Sequence, residues 1–397
     1  CGIEGSMVNE FIEASIGFDS TAKAVASLVG NTAIDGASAR KYYYFLKVMD
    51  GTTTGNQVSS SHVALEAALA TKPNMLLLSE EVDGKRVTLR DLVKQVADMV
   101  TQRAEAGKNF GTVIIAEGLL GAIPEFRTLI AELEAIPMPC PTEKVLPLLT
   151  QWSRALFESM PEFLQAQLLL ERQSNATLSL SSLETEKFIA ELVEDELKSR
   201  KKAGIYKGSF SAVCQYLGYQ ARCSMPSDFD MDYAYTMGGT AAILAANQKT
   251  GYMATVSSLA HDTSEWLPGG VPLTAMMRVP PSLPSDTVRP RPTIFPHQVD
   301  VEGPAFKSWT DVRAQCATDE LYENPGPIQL SGPNALRVSC TITTKYSYVQ
   351  ELRALREQLG TVSNRCRPGC DPRTVSVAAR SLRTLNAILD ELLTRSS

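Results

Sequence analysis

Apolar residues recur along this chain in two rhythms. At Leu89, Leu92, Val93, Val96, Met99 and Val100 the steps of three and four predict an amphipathic helix over residues 88–104. An Ala-rich stretch over residues 58–70 predicts another helix. Pro124 opens a third, with Phe126, Leu129, Ile130 and Leu133 on one face. Between them lie short apolar runs at residues 74–78 and 112–116, the length of buried strands. Strand and helix in alternation predict a parallel sheet with helices on its faces. Ligands of such sheets bind at the carboxyl ends of the strands.

The alternation pauses over residues 148–170 and 184–202, which read as helices joined by a Ser-rich turn at 174–182. It resumes with a strand at 209–215, a helix at 230–247 and a strand at 252–256. Prolines crowd residues 280–296, which excludes a continuous helix or a central strand there. Val349, Leu352, Leu355 and Leu359, then Leu382, Leu385, Leu389 and Leu392, predict a C-terminal helical hairpin, with Asp371 and Pro372 opening its second arm. The layout expected is a first α/β lobe (1–146), a helical insertion (147–205), a second α/β lobe (206–279), a Pro-rich loop (280–298), a return segment (299–344) and the hairpin (345–397). No internal repeat is visible.

Composition narrows the functions. The chain has 397 residues, is 44% hydrophobic and 21% charged, and carries a net charge of -6. That balance argues against a nucleic-acid partner. The dense basic run, residues 198–202, follows an acidic stretch and reads as a helix matched to its dipole. No apolar run approaches the ~18 residues that cross a bilayer, so no membrane partner is expected. The first residues lack the pattern of a signal peptide. Eight cysteines without a Cys-x-x-Cys pair predict reduced thiols in a cytoplasmic protein; Cys366 and Cys370 are the nearest pair. A chain opening at Cys1 rather than Met is expected to be a piece of a longer one.

The chemistry must come from few residues. There are three histidines, and neither a zinc helix, a nucleophile elbow nor a phosphate-binding P-loop occurs. His62 reads as a packed or surface residue. Glu117 follows the strand at 112–116 directly, and Gly118 permits close approach of the backbone. Glu117 reads equally as a ligand-binding carboxylate or a helix-start acid. Tyr219 and Arg222 follow the strand of the second lobe, where a guanidinium suits an anion. Lys41 and Tyr42 adjoin an aromatic run and read first as core with a snorkelling lysine. Phe229, Tyr233 and Tyr235 read as packing residues.

Taken in order, the segments resemble the long-chain phosphofructokinases of the pyrophosphate-dependent type. The match rests on residues 11–19, 41–45, 61–66, Ala116-Glu117-Gly118-Leu119, residues 167–172 and 184–187. Its most specific run goes from Tyr206-Lys207-Gly208 through Gly218-Tyr219-Gln220-Ala221-Arg222 to Asp232-Tyr233-Ala234-Tyr235. Residues 251–255 and Asn324-Pro325-Gly326-Pro327 close it. The resemblance implies a two-lobed, Rossmann-type three-layer α/β sandwich. It implies transfer of a phosphoryl group, from pyrophosphate or ATP with Mg2+ on the donor, to the 1-hydroxyl of fructose 6-phosphate. Such transfer works by positioning and charge neutralisation. In that reading Glu117 hydrogen-bonds the sugar, and Tyr219 and Arg222 hold the sugar phosphate. Lys41 and Tyr42 reach a substrate in the neighbouring subunit of a homo- or hetero-oligomer.

The departures point the other way. Where the family writes Thr-Ile-Asp-Gly-Asp, this chain has Gly2-Ile3-Glu4-Gly5-Ser6. Glu4 takes the place of the base aspartate, one methylene longer, and Ser6 removes a charge from the metal side. The family's Met-Gly-Arg is Met49-Asp50-Gly51, which loses an arginine and adds a carboxylate that repels phosphate. The glycine-rich donor loop that precedes the aspartate motif in the family is absent from the chain. The expectation is therefore a phosphofructokinase-type chain with impaired catalysis, or a regulatory, alpha-type half that binds a sugar phosphate as effector and completes a partner's site.

Overall fold

The computed structural model describes residues 2–3, 11–49, 60–136, 142–170, 182–278, 292–294, 297–332 and 334–343, with Arg373, Ser376 and Arg380 beyond them. It divides into two units, Cys1–Ile342 and Thr343–Ser397. The expected C-terminal hairpin, most of the Pro-rich segment, and Glu4, Ser6, Asp50 and Gly51 lie outside the described residues.

In chain order the first unit opens with β1 (Gly2–Ile3), α1 (Phe18–Ala39), β2 (Tyr43–Val48), α2 (His62–Thr71), β3 (Met75–Leu77), α3 (Ser79–Gly84) and α4 (Leu89–Glu105). β4 (Gly111–Ala116), α5 (Leu119–Ala122), α6 (Pro124–Glu134) and α7 (Thr142–Val145) follow. Then come α8 (Gln151–Ser159), α9 (Glu162–Leu170), α10 (Thr185–Lys202), β5 (Ala212–Leu217), α11 (Tyr219–Arg222) and α12 (Asp228–Ala246). The last elements are β6 (Tyr252–Ser257), β7 (Leu267–Pro272), α13 (Leu273–Met276), β8 (Met277–Arg278), β9 (Thr293–Ile294) and α14 (Pro304–Thr318).

The helix expected over 148–170 is two helices, because Pro161 supplies no amide to an α-helical ladder and separates α8 from α9.

A four-stranded, wholly parallel sheet runs in the order β3-β4-β2-β5. All six residues of β2 and all six of β4 are buried. Side chains alternate across the sheet, so each strand feeds two cores. Tyr43, Phe45, Val113 and Ile115 pack among residues of α4, α6 and α10. Tyr44, Leu46, Val48, Ile114 and Ala116 pack on the other face with residues of α1, α2 and α14. Burial on both faces explains why these strands read as continuous apolar runs.

A second sheet holds β1 parallel to β6 and β6 antiparallel to β7, and β8 pairs with β9. The lobes expected from the sequence are thus interwoven. β5, in the segment read as the second lobe, belongs to the sheet of β2, β3 and β4, while β1 joins the sheet of β6.

Buried carboxylates knit the junction. Asp230 accepts from the amides of Gly17 (3.0 Å) and Ser20 (2.6 Å) at the start of α1. Asp19 accepts from Ser339 N, Ser339 Oγ and Ser227 Oγ and pairs with Lys23. Glu66 of α2 accepts from the amides of Cys340 and Thr341. At the amino ends of the strands, the buried guanidinium of Arg103 donates to the carbonyls of Phe110, Ala317 and Thr318, closing the C-terminus of α14.

Candidate functional site

The register of the parallel sheet brings three polar side chains to one place. Lys47 of β2 lies opposite Tyr216 of β5, so both point to the α10 face. Val48 lies opposite Ala116, which puts Glu117, the next residue of that chain segment, at the carboxyl end of the same sheet. The Tyr216 hydroxyl donates to Glu117 Oε1 over 2.7 Å. The Lys47 ammonium sits 4.2 Å from the centroid of the Tyr216 ring. It donates to Leu183 O at 2.7 Å and stands 3.8 Å from Glu186 Oε2 of α10.

Glu117 lies two residues before α5 (Leu119–Ala122). Its carboxylate accepts from the Tyr216 hydroxyl.

After β5 the chain turns at Gly218 into α11, which carries Tyr219 and Arg222. The Tyr219 ring meets the Tyr216 ring edge-on at 6.2 Å, and the Arg222 guanidinium lies 5.3 Å from the Tyr219 centroid. Tyr219 is 74% exposed and Arg222 is exposed, so both face solvent beside the buried Glu117.

The electrostatics are those of groups taken from water. Burial pushes the Tyr216 phenol well above its ordinary range, the adjacent Glu117 adds to the rise, and the Arg222 charge opposes it. Burial also lowers the Lys47 ammonium, against the attraction of Glu186, Glu117 and Glu184. The carboxyl of Glu186 is raised, first by burial, with Lys47 opposing.

Lys41 and Tyr42 are elsewhere. They precede β2 at its amino end, six residues of strand and roughly 20 Å from the carboxyl end. The Lys41 ammonium lies 5.3 Å over the Tyr42 ring, which meets the Tyr44 ring at 6.5 Å. Lys41 is exposed and Tyr42 half-buried. The pair therefore does not converge with Glu117 and Arg222 within this chain.

His62 is packed beside His297, with its Nε2 3.2 Å from the His297 carbonyl oxygen. Phe229 and Tyr233 are core residues, but Tyr235 is not. It is 86% exposed, because the face of α12 that carries it points away from β6 and β7. Among the described residues no three His, Cys, Asp or Glu side chains are grouped so as to hold a cation.

Lys47 and Tyr216 escaped the sequence reading. The available signal was a lysine inside the apolar run of residues 43–48, which a strand buried on both faces must pair or neutralise.

No family model matches the chain. Curated relatives do. The alpha 2 subunit of pyrophosphate--fructose 6-phosphate 1-phosphotransferase of Arabidopsis thaliana is 38% identical over 400 residues, covering 100% of this chain and 63% of that protein. The Treponema pallidum (strain Nichols) pyrophosphate--fructose 6-phosphate 1-phosphotransferase is 38% identical over 355 residues, covering 86% of this chain and 60% of that one. A solved pyrophosphate-dependent phosphofructokinase from Nitrosospira multiformis aligns with a TM-score of 0.41 at 14% identity, over 85% of this chain and 63% of that one, too weakly to carry an argument. The resemblance to the phosphofructokinases is therefore a homology that runs the length of the chain. Within that class, the relatives named here are pyrophosphate-dependent phosphotransferases. The chain spans less than two thirds of their length.

Proposed function

We propose that this chain is the sugar-phosphate-binding, catalytically impaired part of an alpha-type pyrophosphate-dependent phosphofructokinase. Coverage carries the reading. Alpha subunits from Arabidopsis and from Solanum tuberosum align over 100% of the chain, whereas the beta subunits of the same plants align over 86%. The substitutions at Glu4 and Ser6 support impairment, since a base must reach its proton over ~2.6–3.2 Å and a metal needs its carboxylates.

In this reading fructose 6-phosphate, or a related sugar phosphate, binds at the carboxyl end of the four-stranded sheet. Glu117 accepts from a sugar hydroxyl, and Tyr219 and Arg222 hold the phosphate. Lys41 and Tyr42, at the amino end of β2, serve the site of a neighbouring chain, which makes the assembly a homo- or hetero-oligomer. The whole assembly uses pyrophosphate or ATP, with Mg2+ on the donor, in cytoplasmic glycolysis.

Two measurements test this. Calorimetry is expected to show fructose 6-phosphate bound by the chain, with binding lost in Arg222→Ala. A phosphotransfer assay with pyrophosphate or ATP and Mg2+ is expected to show no turnover by the chain alone. Turnover by the isolated chain would overturn the impaired reading, and unchanged binding in Arg222→Ala would remove that residue from the site.

A further inference from the structure

The hydrogen bond from Tyr216 to Glu117 requires a backbone with no side chain beside it. A Cβ on Gly218 would stand 2.3 Å from Tyr216 Cζ and 2.5 Å from its hydroxyl oxygen. No rotation of a rigid phenol ring relieves that contact while its hydroxyl stays on Glu117. Glycine at 218 thus lets the ring lie across the turn between β5 and α11.

From below, the ring is held by Lys47. The ammonium sits on the ring face at 4.2 Å, and its own position is fixed by the Leu183 carbonyl and by Glu186. A side chain pinned at its face and at its hydroxyl has no rotamer freedom left to lose on binding. The raised phenol keeps its proton, so Tyr216 acts toward Glu117 only as a donor. A carboxylate offers about four acceptor positions, and the Tyr216 bond to Oε1 takes one and restricts how the group turns. A carboxylate so oriented selects for a ligand that presents a hydroxyl. Arg222, whose charge is felt at the Tyr216 hydroxyl, supplies the contact for an anion.

We propose that Tyr216 and Lys47 are positioning residues that orient Glu117 to accept a sugar hydroxyl, and so make the site prefer a polyol phosphate over a bare phosphate. The proposal rests on the sugar-phosphate reading of this site. In that reading Tyr219 and Arg222 take the phosphate, so Tyr216 and Lys47 govern discrimination rather than anion capture.

The test is calorimetry on the 397-residue chain with two probes, fructose 6-phosphate and inorganic phosphate. Tyr216→Phe keeps the ring over Lys47 and removes only the hydroxyl. It is expected to weaken fructose 6-phosphate about tenfold, the scale of one hydrogen bond to a charged group, and to leave inorganic phosphate unchanged. Lys47→Met is expected to do the same, and Lys47→Arg to restore binding by returning a cation to the ring face. Selective loss for the sugar phosphate with rescue by arginine supports the proposal. Equal loss for both probes, or no loss in Tyr216→Phe, overturns it and leaves the pair a packing feature. Failure of the wild-type chain to bind fructose 6-phosphate overturns the sugar-phosphate reading itself, and the proposal with it.

Discussion

Gly30 of α1 and Asn324 meet with no room between them: a Cβ on Gly30 would stand 2.9 Å from the Asn324 Cα. The Asn324 amide also donates to Asn31 Oδ1 at 2.8 Å, and its Oδ1 accepts from Gly326 N at 3.0 Å. The Asn-Pro-Gly-Pro motif of the sequence is thus a strap laid on α1. Gly30→Ala would gain about 1 kcal/mol of helix propensity. It would also push on backbone, which costs typically 1–3 kcal/mol. The net expectation is a loss of up to about 2 kcal/mol and a lower thermal midpoint, and a raised one would contradict the contact.

Gly218→Ala is expected to break the Tyr216–Glu117 bond rather than the fold. The added methyl meets the Tyr216 ring, a side chain that can swing out toward solvent. The loss of fructose 6-phosphate affinity should therefore match that of Tyr216→Phe. The double variant Gly218→Ala/Tyr216→Phe should lose no more than either single one. Additive losses in calorimetry would show that the two residues act separately.

Arg103 is 1% exposed and donates to three carbonyls, two of them at the end of α14. Arg103→Met keeps the apolar stem but removes the Arg103 donors from Phe110 O and Ala317 O, while Thr318 O keeps Lys108 Nζ at 3.0 Å. A loss of about 1–3 kcal/mol for each carbonyl left without a donor is the expected scale. Arg103→Lys should recover little, since an ammonium cannot fork to reach all three. Urea unfolding measures both.

Glu66 is buried beneath residues 340 and 341, and burial raises its carboxyl above the usual range. The native state then holds a proton that the unfolded chain releases. Its contribution to stability therefore falls as pH rises from the ordinary carboxylate value through the raised one. The limit is a slope of about 1.4 kcal/mol per pH unit for one proton. The stability difference between Glu66→Gln and wild type should carry that slope from the ordinary carboxylate range up to the raised value and be flat above it. A pH-independent difference across pH 4–8 would show that Glu66 does not titrate in that range.

The elements nearest the site were legible in the sequence. Helical spacing found α4, α6 and α10, and apolar runs found β3, β4 and β6, because both signals are local. Glu117, Tyr219 and Arg222 were placed correctly at strand ends for the same reason. The region 18–48 was not legible. α1 has apolar and small residues on most sides because it packs between α2 and the sheet, so its stripe is blurred. β2 read as an aromatic cluster because a strand buried on both faces shows no alternation.

What the sequence determined alone is the kind of chain this is: an α/β protein that aligns along its whole length with alpha subunits of pyrophosphate--fructose 6-phosphate 1-phosphotransferase. What only the tertiary structure decided is which residues act together. Parallel register set Lys47 beside Tyr216 and brought Glu117 to the same sheet end, pairings separated by 169 and 99 residues of chain. The same register put Lys41 and Tyr42 at the far end of β2, away from Glu117. Which strands become neighbours depends on how the helices cover both sheet faces, a property of the folded whole that no local pattern of residues encodes.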